Sequence, residues 1–397
     1  MDALLGSMIQ SADEVSDVLF IQGKPPLVES HGKLSEFPID TPGSLLTAAL
    51  VNDFAHELMA DNPRLRSALE ATGSCDTSYE VPGVARLRVN IFKQNAGTAI
   101  VMRRFPSKVP TLETVGLPPV FKEIVKERNG IILVTGATGS GKTTTLAAML
   151  NHLNQTEPIH LLTLEDPIEF VYPPGRGAIS QRELGRDFES FAHGLRVALR
   201  QSPKGILLGE IRDRETMEIA MTAAETGHIV FSTLHTINAG QTINRILGFF
   251  GRDEEEQVRI RLADILRYIV SQRLVSSTSG QRLLITEVLG NSLRTRETIR
   301  YGESEGKTYA EIIEAASVLG WHSFDQCLLS ALEQGRITEE NALLYATNKN
   351  RIRRDIDLLQ KRRGQGTGEV LSGLKLDISR PKMPDPEEAY DRPHAET

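Results

Sequence analysis

Cysteine is almost absent from this chain: Cys75 and Cys327 are the two it has in 397 residues. They stand too far apart in sequence for a zinc knuckle, and a pair of free thiols fits a reducing cytoplasm. Tryptophan occurs once and aromatic residues make up 5% of the chain, with no basic–aromatic cluster of the kind that holds nucleic acid. Positive charge is in deficit, since the formal net charge is −7 and the pI about 5.8, which argues against a general nucleic-acid binder. No apolar run approaches the ~20 residues a membrane helix requires. Residues 1–30 carry Asp2, Asp13, Glu14 and Asp17 and no basic opening, so they do not read as a secretory signal. The expectation is a soluble, cytoplasmic protein that reaches a membrane peripherally, through partners.

What is present is a phosphate-binding loop. Residues 136–143 read Gly136-Ala137-Thr138-Gly139-Ser140-Gly141-Lys142-Thr143, a complete G-x-x-x-x-G-K-[ST] pattern. An apolar run, Gly130 to Val134, precedes it as a buried parallel strand would, and Thr144 to Leu150 follows as the start of a helix. A strand, a glycine turn and a helix N-terminus aim backbone N–H groups and a dipole end at one spot. Lys142 is expected at the β and γ phosphates and Thr143 on Mg²⁺. The chain therefore reads as a nucleoside triphosphate binder.

At this length about two domains are expected, and the 40% hydrophobic content supports globular packing. Residues 1–106 mix alternating segments (17–21, 86–92 and 98–103) with a helical one (45–59), an α+β unit without a catalytic motif. Residues 107–114, after Phe105-Pro106, have the turn and proline chemistry of a linker. From 115 to 290 strands (130–135, 159–164, 205–209, 228–234) alternate with helices (143–154, 188–200, 214–226, 239–248), the pattern of a parallel sheet covered on both faces. Residues 254–272 read as helical and charged, and 291–362 as a helical region. Residues 363–397, with Pro381, Pro384 and Pro386 among acids, read as disordered. No internal repeat of 20–50 residues is present.

Hydrolysis also needs an aligned water, a held Mg²⁺ and positive charge at the transferring group. Three strand ends offer these. Leu161 to Glu169 delivers Glu165 and Asp166 after an apolar run that Pro167 then stops; Ile206 to Asp213 delivers Glu210 after Gly209, where an aspartate is usual. Arg212 and Asp213 read equally as functional groups or as a local ion pair. Ile229 to His235 closes on His235, at the edge that carries Glu165 and Glu210 and within reach of a γ-phosphate; His228, at the opposite end, reads as structural or interfacial.

In this order, with Gln181-Arg182-Glu183-Leu184-Gly185 and Ala223-Ala224-Glu225-Thr226-Gly227-His228 between them, the motifs resemble the secretion ATPases of type II secretion and type IV pilus systems over roughly residues 5–360. Within that family the chain is similar to the retraction branch, the PilT/PilU-like twitching-motility ATPases. It has one N-terminal module and no four-cysteine zinc motif, and Arg296, Ile299, Arg300 and Gly302 match positions of that branch's A-I-R-N-L-I-R-E-G segment. The resemblance implies a RecA-like P-loop domain preceded by a smaller PAS-like α+β domain, working as a homohexameric ring on ATP and Mg²⁺. It places nucleotide between the domains, with Arg88 and Arg103 neutralising phosphate charge. Glu165 becomes the water-orienting carboxylate and Glu210 the Mg²⁺-side one, roles that spacing alone leaves exchangeable.

The implied function is pilus retraction against an inner-membrane platform protein, without nucleic acid. Two departures stand out: Ser202 and Lys204 occupy positions where this branch carries acids, and the A-I-R-N-L-I-R-E-G match is imperfect. Both fit an accessory subunit beside a companion retraction ATPase. An assembly or secretion ATPase is the further alternative, disfavoured by the missing cysteines and short length.

Overall fold

The computed structural model describes residues 1–39, 45–60, 62–95 and 97–362; the tail expected at 363–397 lies outside them. The first unit holds α1 (Asp2–Gln10), β1 (Val15–Ile21), β2 (Leu27–Ser30), β3 (Lys33–Glu36), α2 (Ala48–Met59), α3 (Pro63–Thr72), β4 (Ser74–Val81), β5 (Ala85–Gln94) and β6 (Gly97–Arg104). Its six strands form one antiparallel sheet in the order β3-β2-β1-β6-β5-β4. Alternation along β5 decides what each face does. Leu87, Val89 and Ile91 are fully buried in a core with Phe20, Met8, Val51 and Met102, so Arg86 and Arg88 point from the other face. That other face meets the second unit.

The second unit carries α4 (Phe121–Ile124), β7 (Gly130–Gly136), α5 (Lys142–Thr156), β8 (His160–Glu165), β9 (Ala178–Glu183), α6 (Phe191–Ala198), β10 (Gly205–Leu208), α7 (Arg214–Glu225), β11 (Ile229–Leu234), α8 (Ala239–Leu247), α9 (Glu255–Ile265), β12 (Leu266–Ser276) and β13 (Arg282–Gly290). Seven strands pair in the order β13-β12-β7-β11-β10-β8-β9, parallel except for β13 at one edge. Every residue of β7, β10 and β11 is buried, as a sheet covered on both faces requires. Parallel strands bring all their C-terminal ends to one edge, and the core beneath fixes that edge: Phe121, Phe231 and Met149 are buried there, each worth about 2–3 kcal/mol. The segment joining the units is docked on the second, with Leu112 in its core and the Pro110 carbonyl accepting from Asn151 Nδ2 at 3.0 Å.

Two helical expectations are corrected. Residues 254–272 are not one helix, for α9 ends at Ile265 and Leu266–Ser276 is a strand seated between β7 and β13. Arg267 and Arg273 give that stretch a helical charge pattern, yet Leu266, Ile269, Val270 and Val275 are buried in the sheet. The helix expected over 188–200 starts at Phe191, where the Ser190 side chain caps it. Beyond β13, α10 (Leu293–Tyr301), α11 (Tyr309–Ala315), α12 (Phe324–Glu333), α13 (Glu339–Tyr345) and α14 (Lys349–Arg362) follow. Phe324, Leu328, Ile352 and Ile356 close a separate core over the far ends of β12 and β13. Among the described residues no helix is long and apolar enough to cross a membrane.

Candidate nucleotide site

A cavity of about 670 Å³ opens at the C-terminal edge of the sheet, lined by the loop after β7, by Glu165, Asp166 and Glu169, by Glu210 and Arg212, by His235, and by Arg88 of the first unit. Three glycines shape the loop. Gly139 and Gly141 are left-handed (φ 77° and 90°), and a Cβ at Gly136 would lie 2.5 Å from Ser140 Oγ and 2.6 Å from the Gln272 carbonyl. The helices α6, α7 and α8 have side-chain caps from Ser190, Asp213 and Asn238, whereas Gly141 at the N-cap of α5 supplies none. The first N–H groups of α5 are therefore left for an anion. Lys142 Nζ donates to the Gly136 and Ala137 carbonyls at 3.0 Å each. Burial pushes its pKa down, and the Glu210 charge opposes that.

The loop is braced from β12, the strand that sequence reading took for helix. Gln272 Nε2 donates to Thr145 Oγ1 at 2.7 Å, and Thr135 Oγ1 donates to Ser271 Oγ at 3.0 Å. Thr138, Thr143 and Thr144 face the cavity with Gly139 and Gly141. Glu169 shares the cavity wall with Thr143, and burial raises its pKa while the Arg88 charge and the Thr143 hydroxyl pull it down. Glu169 belonged to the acidic segment read from sequence, but nothing there distinguished it from a solvated charge.

Glu165 ends β8 and is 7% exposed. Thr163 Oγ1 donates to its Oε1 at 2.6 Å and Gln181 Nε2 at 3.1 Å. Burial raises its pKa from 4.5 to about 7 against those two hydrogen bonds. A carboxylate so placed changes protonation near neutrality, which is what a general base needs. Asp166, joined to Pro167 by a cis peptide bond, is also raised by burial, with Arg212 and Arg88 pulling the other way.

Glu210 follows β10 and pairs with Arg212, while His235 Nε2 lies 3.5 Å from its other oxygen. The local Arg212–Asp213 pair weighed from sequence is not formed, because Asp213 Oδ1 accepts from the Thr216 N–H and caps α7. At the usual aspartate position, a Cβ on Gly209 would meet the Leu164 carbonyl at 3.2 Å, and Thr233 Oγ1 donates to the Gly209 carbonyl. Arg103 lies outside the cavity lining, and its Nε donates at 2.9 Å to buried Asp17, its cross-strand partner on β1. Arg88, its neighbour on β5, pairs loosely with Asp76 at 3.6 Å and stays at the cavity.

The residues suit a nucleotide with a hard cation. The loop is a cradle that a Cβ would fill, Lys142 supplies positive charge, and four carboxylates converge on one wall. Among the described residues no cluster of His, Cys, Asp or Glu makes an all-protein metal cage. A hydroxyl with one or two carboxylates, completed by phosphate oxygens and water, is how Mg²⁺ is usually held.

Comparison with known proteins agrees with this geometry. Residues 77–345 match the family described as type II/IV secretion system protein. The type IV pilus retraction ATPase PilT of Pseudomonas aeruginosa is 41% identical over 327 residues, covering 82% of this chain and 93% of that one. The type IV pilus ATPase PilU of the same organism is 34% identical over 380 residues, covering 95% and 97%. A crystal structure of the pilus retraction motor PilT with bound ADP superposes with a TM-score of 0.78 at 39% identity, covering 88% of this chain and 98% of that one.

Proposed function

The chain belongs to the type II/IV secretion system protein family, and from that premise we propose that it is a Mg²⁺-dependent ATPase motor for type IV pilus retraction. It is an ATP hydrolase of the phosphate-loop kind. The observation that carries the reading is the buried Glu165 carboxylate, which shares one sheet edge with Lys142, Glu210 and His235.

Lys142 and the α5 N–H groups bind and neutralise the phosphates. Glu165 orients the attacking water and accepts its proton, held at the needed atom by Thr163 and Gln181. Thr143 and Glu210, with Glu169 behind the hydroxyl, are the residues that would hold Mg²⁺, which when bound offsets the negative charge of phosphates and carboxylates. His235 hydrogen-bonds toward the γ-phosphate and steadies Glu210. Arg88 adds charge from the first unit, so closure of that unit bears on catalysis. In a cytoplasmic homohexamer, docked on an inner-membrane platform protein, such closures would pass round the ring as force.

The test is Mg²⁺-dependent phosphate release by the purified chain, with Glu210→Gln expected to abolish it. Deleting the gene and counting surface pili tests direction, since excess pili support retraction and bald cells support assembly. A second reading, an accessory subunit beside a companion retraction ATPase, is favoured by Ser202 and Lys204, which stand where acids are expected. Robust turnover in isolation would exclude it.

A further inference from the structure

The Gln181-Arg182-Glu183 segment has no part in holding nucleotide, yet it joins the catalytic wall to the first unit. It lies on β9, whose residues 181 and 183 pair with Thr163 and Glu165 of the parallel strand β8. Paired residues two apart share one face of a sheet, so Gln181 and Glu183 stand beside the acidic wall. Gln181 is fully engaged there. Its Nε2 donates to Glu165 Oε1 at 3.1 Å and to the Phe170 carbonyl at 2.8 Å, and its Oε1 accepts from the Tyr172 N–H at 3.2 Å. One side chain thus fixes both the carboxylate and the loop that follows it.

From that same face Glu183 reaches the first unit. It is 5% exposed, and its Oε2 accepts from the Ile168 N–H at 3.1 Å, inside the same loop. From the first unit, Arg86 Nη2 donates to Oε2 at 2.5 Å and Ser78 Oγ donates to Oε1 at 2.7 Å, while Arg86 also donates to Ser78 Oγ at 3.0 Å. The alternation of β5 aims Arg86 at this spot, and the pair is nearly dry. A buried carboxylate between two units is held only while its guanidinium partner stays in place. Beside the clasp, a cavity of about 570 Å³ separates α2, α3 and β4 from Pro167 and residues 183–186. The two units therefore touch here through polar groups rather than through a continuous apolar seam, an arrangement that permits relative motion.

We propose that Gln181 and Glu183 form a relay through which the N-terminal unit, gripping Glu183 with Arg86 and Ser78, positions the Glu165 carboxylate for hydrolysis. Gln181, Glu183 and Arg86 are positioning residues that act through the 166–172 loop. The inference rests on the ATPase reading above. When the first unit moves away from β9, Glu183 loses its cation, the Ile168 anchor loosens, and Glu165 leaves its productive geometry. Misplacement of about 1 Å at a reacting group costs up to ~10²-fold in rate.

The test is steady-state hydrolysis of MgATP by the full chain, with kcat and KM measured separately. Gln181→Met keeps the side-chain length but removes every hydrogen bond, and is expected to lower kcat about tenfold with KM within about twofold. Arg86→Met, on the other unit, should lower kcat about fivefold in the same KM-neutral way, and Arg86→Lys should restore most of it. Because the two act on one element, the double variant should be no slower than about the slower single one. Turnover within about twofold of wild type in both Met variants, or effects that simply multiply, would overturn the relay while leaving the ATPase reading intact. If Gln181→Met does not fold, the Arg86 pair decides: a KM-neutral fall rescued by lysine supports the relay, and an unchanged kcat overturns it. A wild-type chain without turnover removes both.

Discussion

The two edges of the parallel sheet are built from the same strands and carry polar groups of very different standing. At the C-terminal edge Lys142 and Glu165 are buried, and burial has moved the pKa of each toward its neutral form. At the N-terminal edge Lys204 is exposed and contributes only its backbone, whose N–H meets the His160 carbonyl. His228 Nδ1 rests 3.0 Å from the Ala223 carbonyl, and His160 Nε2 lies 3.0 Å from Ser180 Oγ. One edge holds charge that solvent cannot relieve; the other satisfies its polar groups locally. Uncompensated burial of charge opposes folding, so its concentration at one edge marks the working one.

Replacing Glu165 with Gln should break this contrast most severely. Turnover falls by about 10²–10³-fold, measured as phosphate release, while a fluorescent nucleotide still binds. Stability should move the opposite way. Burial raises the folded-state pKa of Glu165 from 4.5 to about 7, so the folded chain carries an extra proton between those values. The stabilisation from that proton is full below pH 4.5 and is lost as pH rises to about 7. Glu165→Gln should therefore melt higher than wild type at pH 8 and nearly level with it at pH 4.5. In the wild type, turnover should decline below about pH 7 as the carboxylate protonates.

Arg88→Ala comes next. It removes a cavity-lining charge whose pair with Asp76 is half exposed, so kcat/KM should drop about tenfold with stability within about 0.5 kcal/mol in urea titration. Lys204→Asp should do least, with turnover within about twofold and stability within about 0.5 kcal/mol. A large loss there would erase the contrast between edges and give the sequence departure at Lys204 a direct part in catalysis.

The phosphate loop, the strand ends at Glu165, Glu210 and His235, and the alternation of two units were legible because each rests on local pattern: an apolar run, a turn residue, then a polar group. The less visible parts depend on partners distant in sequence. The β9 strand is polar and half-exposed, so it has no hydrophobic signature, although its Gln181 touches the Glu165 carboxylate. The β12 strand follows directly on α9 with no breaking residue, and Gln272 gives no hint that it braces the loop. Arg88 and Arg103 look alike in sequence; only cross-strand pairing with Asp17 separates them. Glu183 is an ordinary acid until Arg86, a residue of the other unit, is brought against it.

Phosphate release from MgATP at pH 8, by the purified full chain beside Lys142→Ala, decides whether the loop edge is a working ATPase site. Mg²⁺-dependent turnover is expected in the wild type, and the alanine variant should lose it by about 10²-fold or more with its melting temperature little changed. No turnover in the wild type, or equal turnover in both, would contradict that reading.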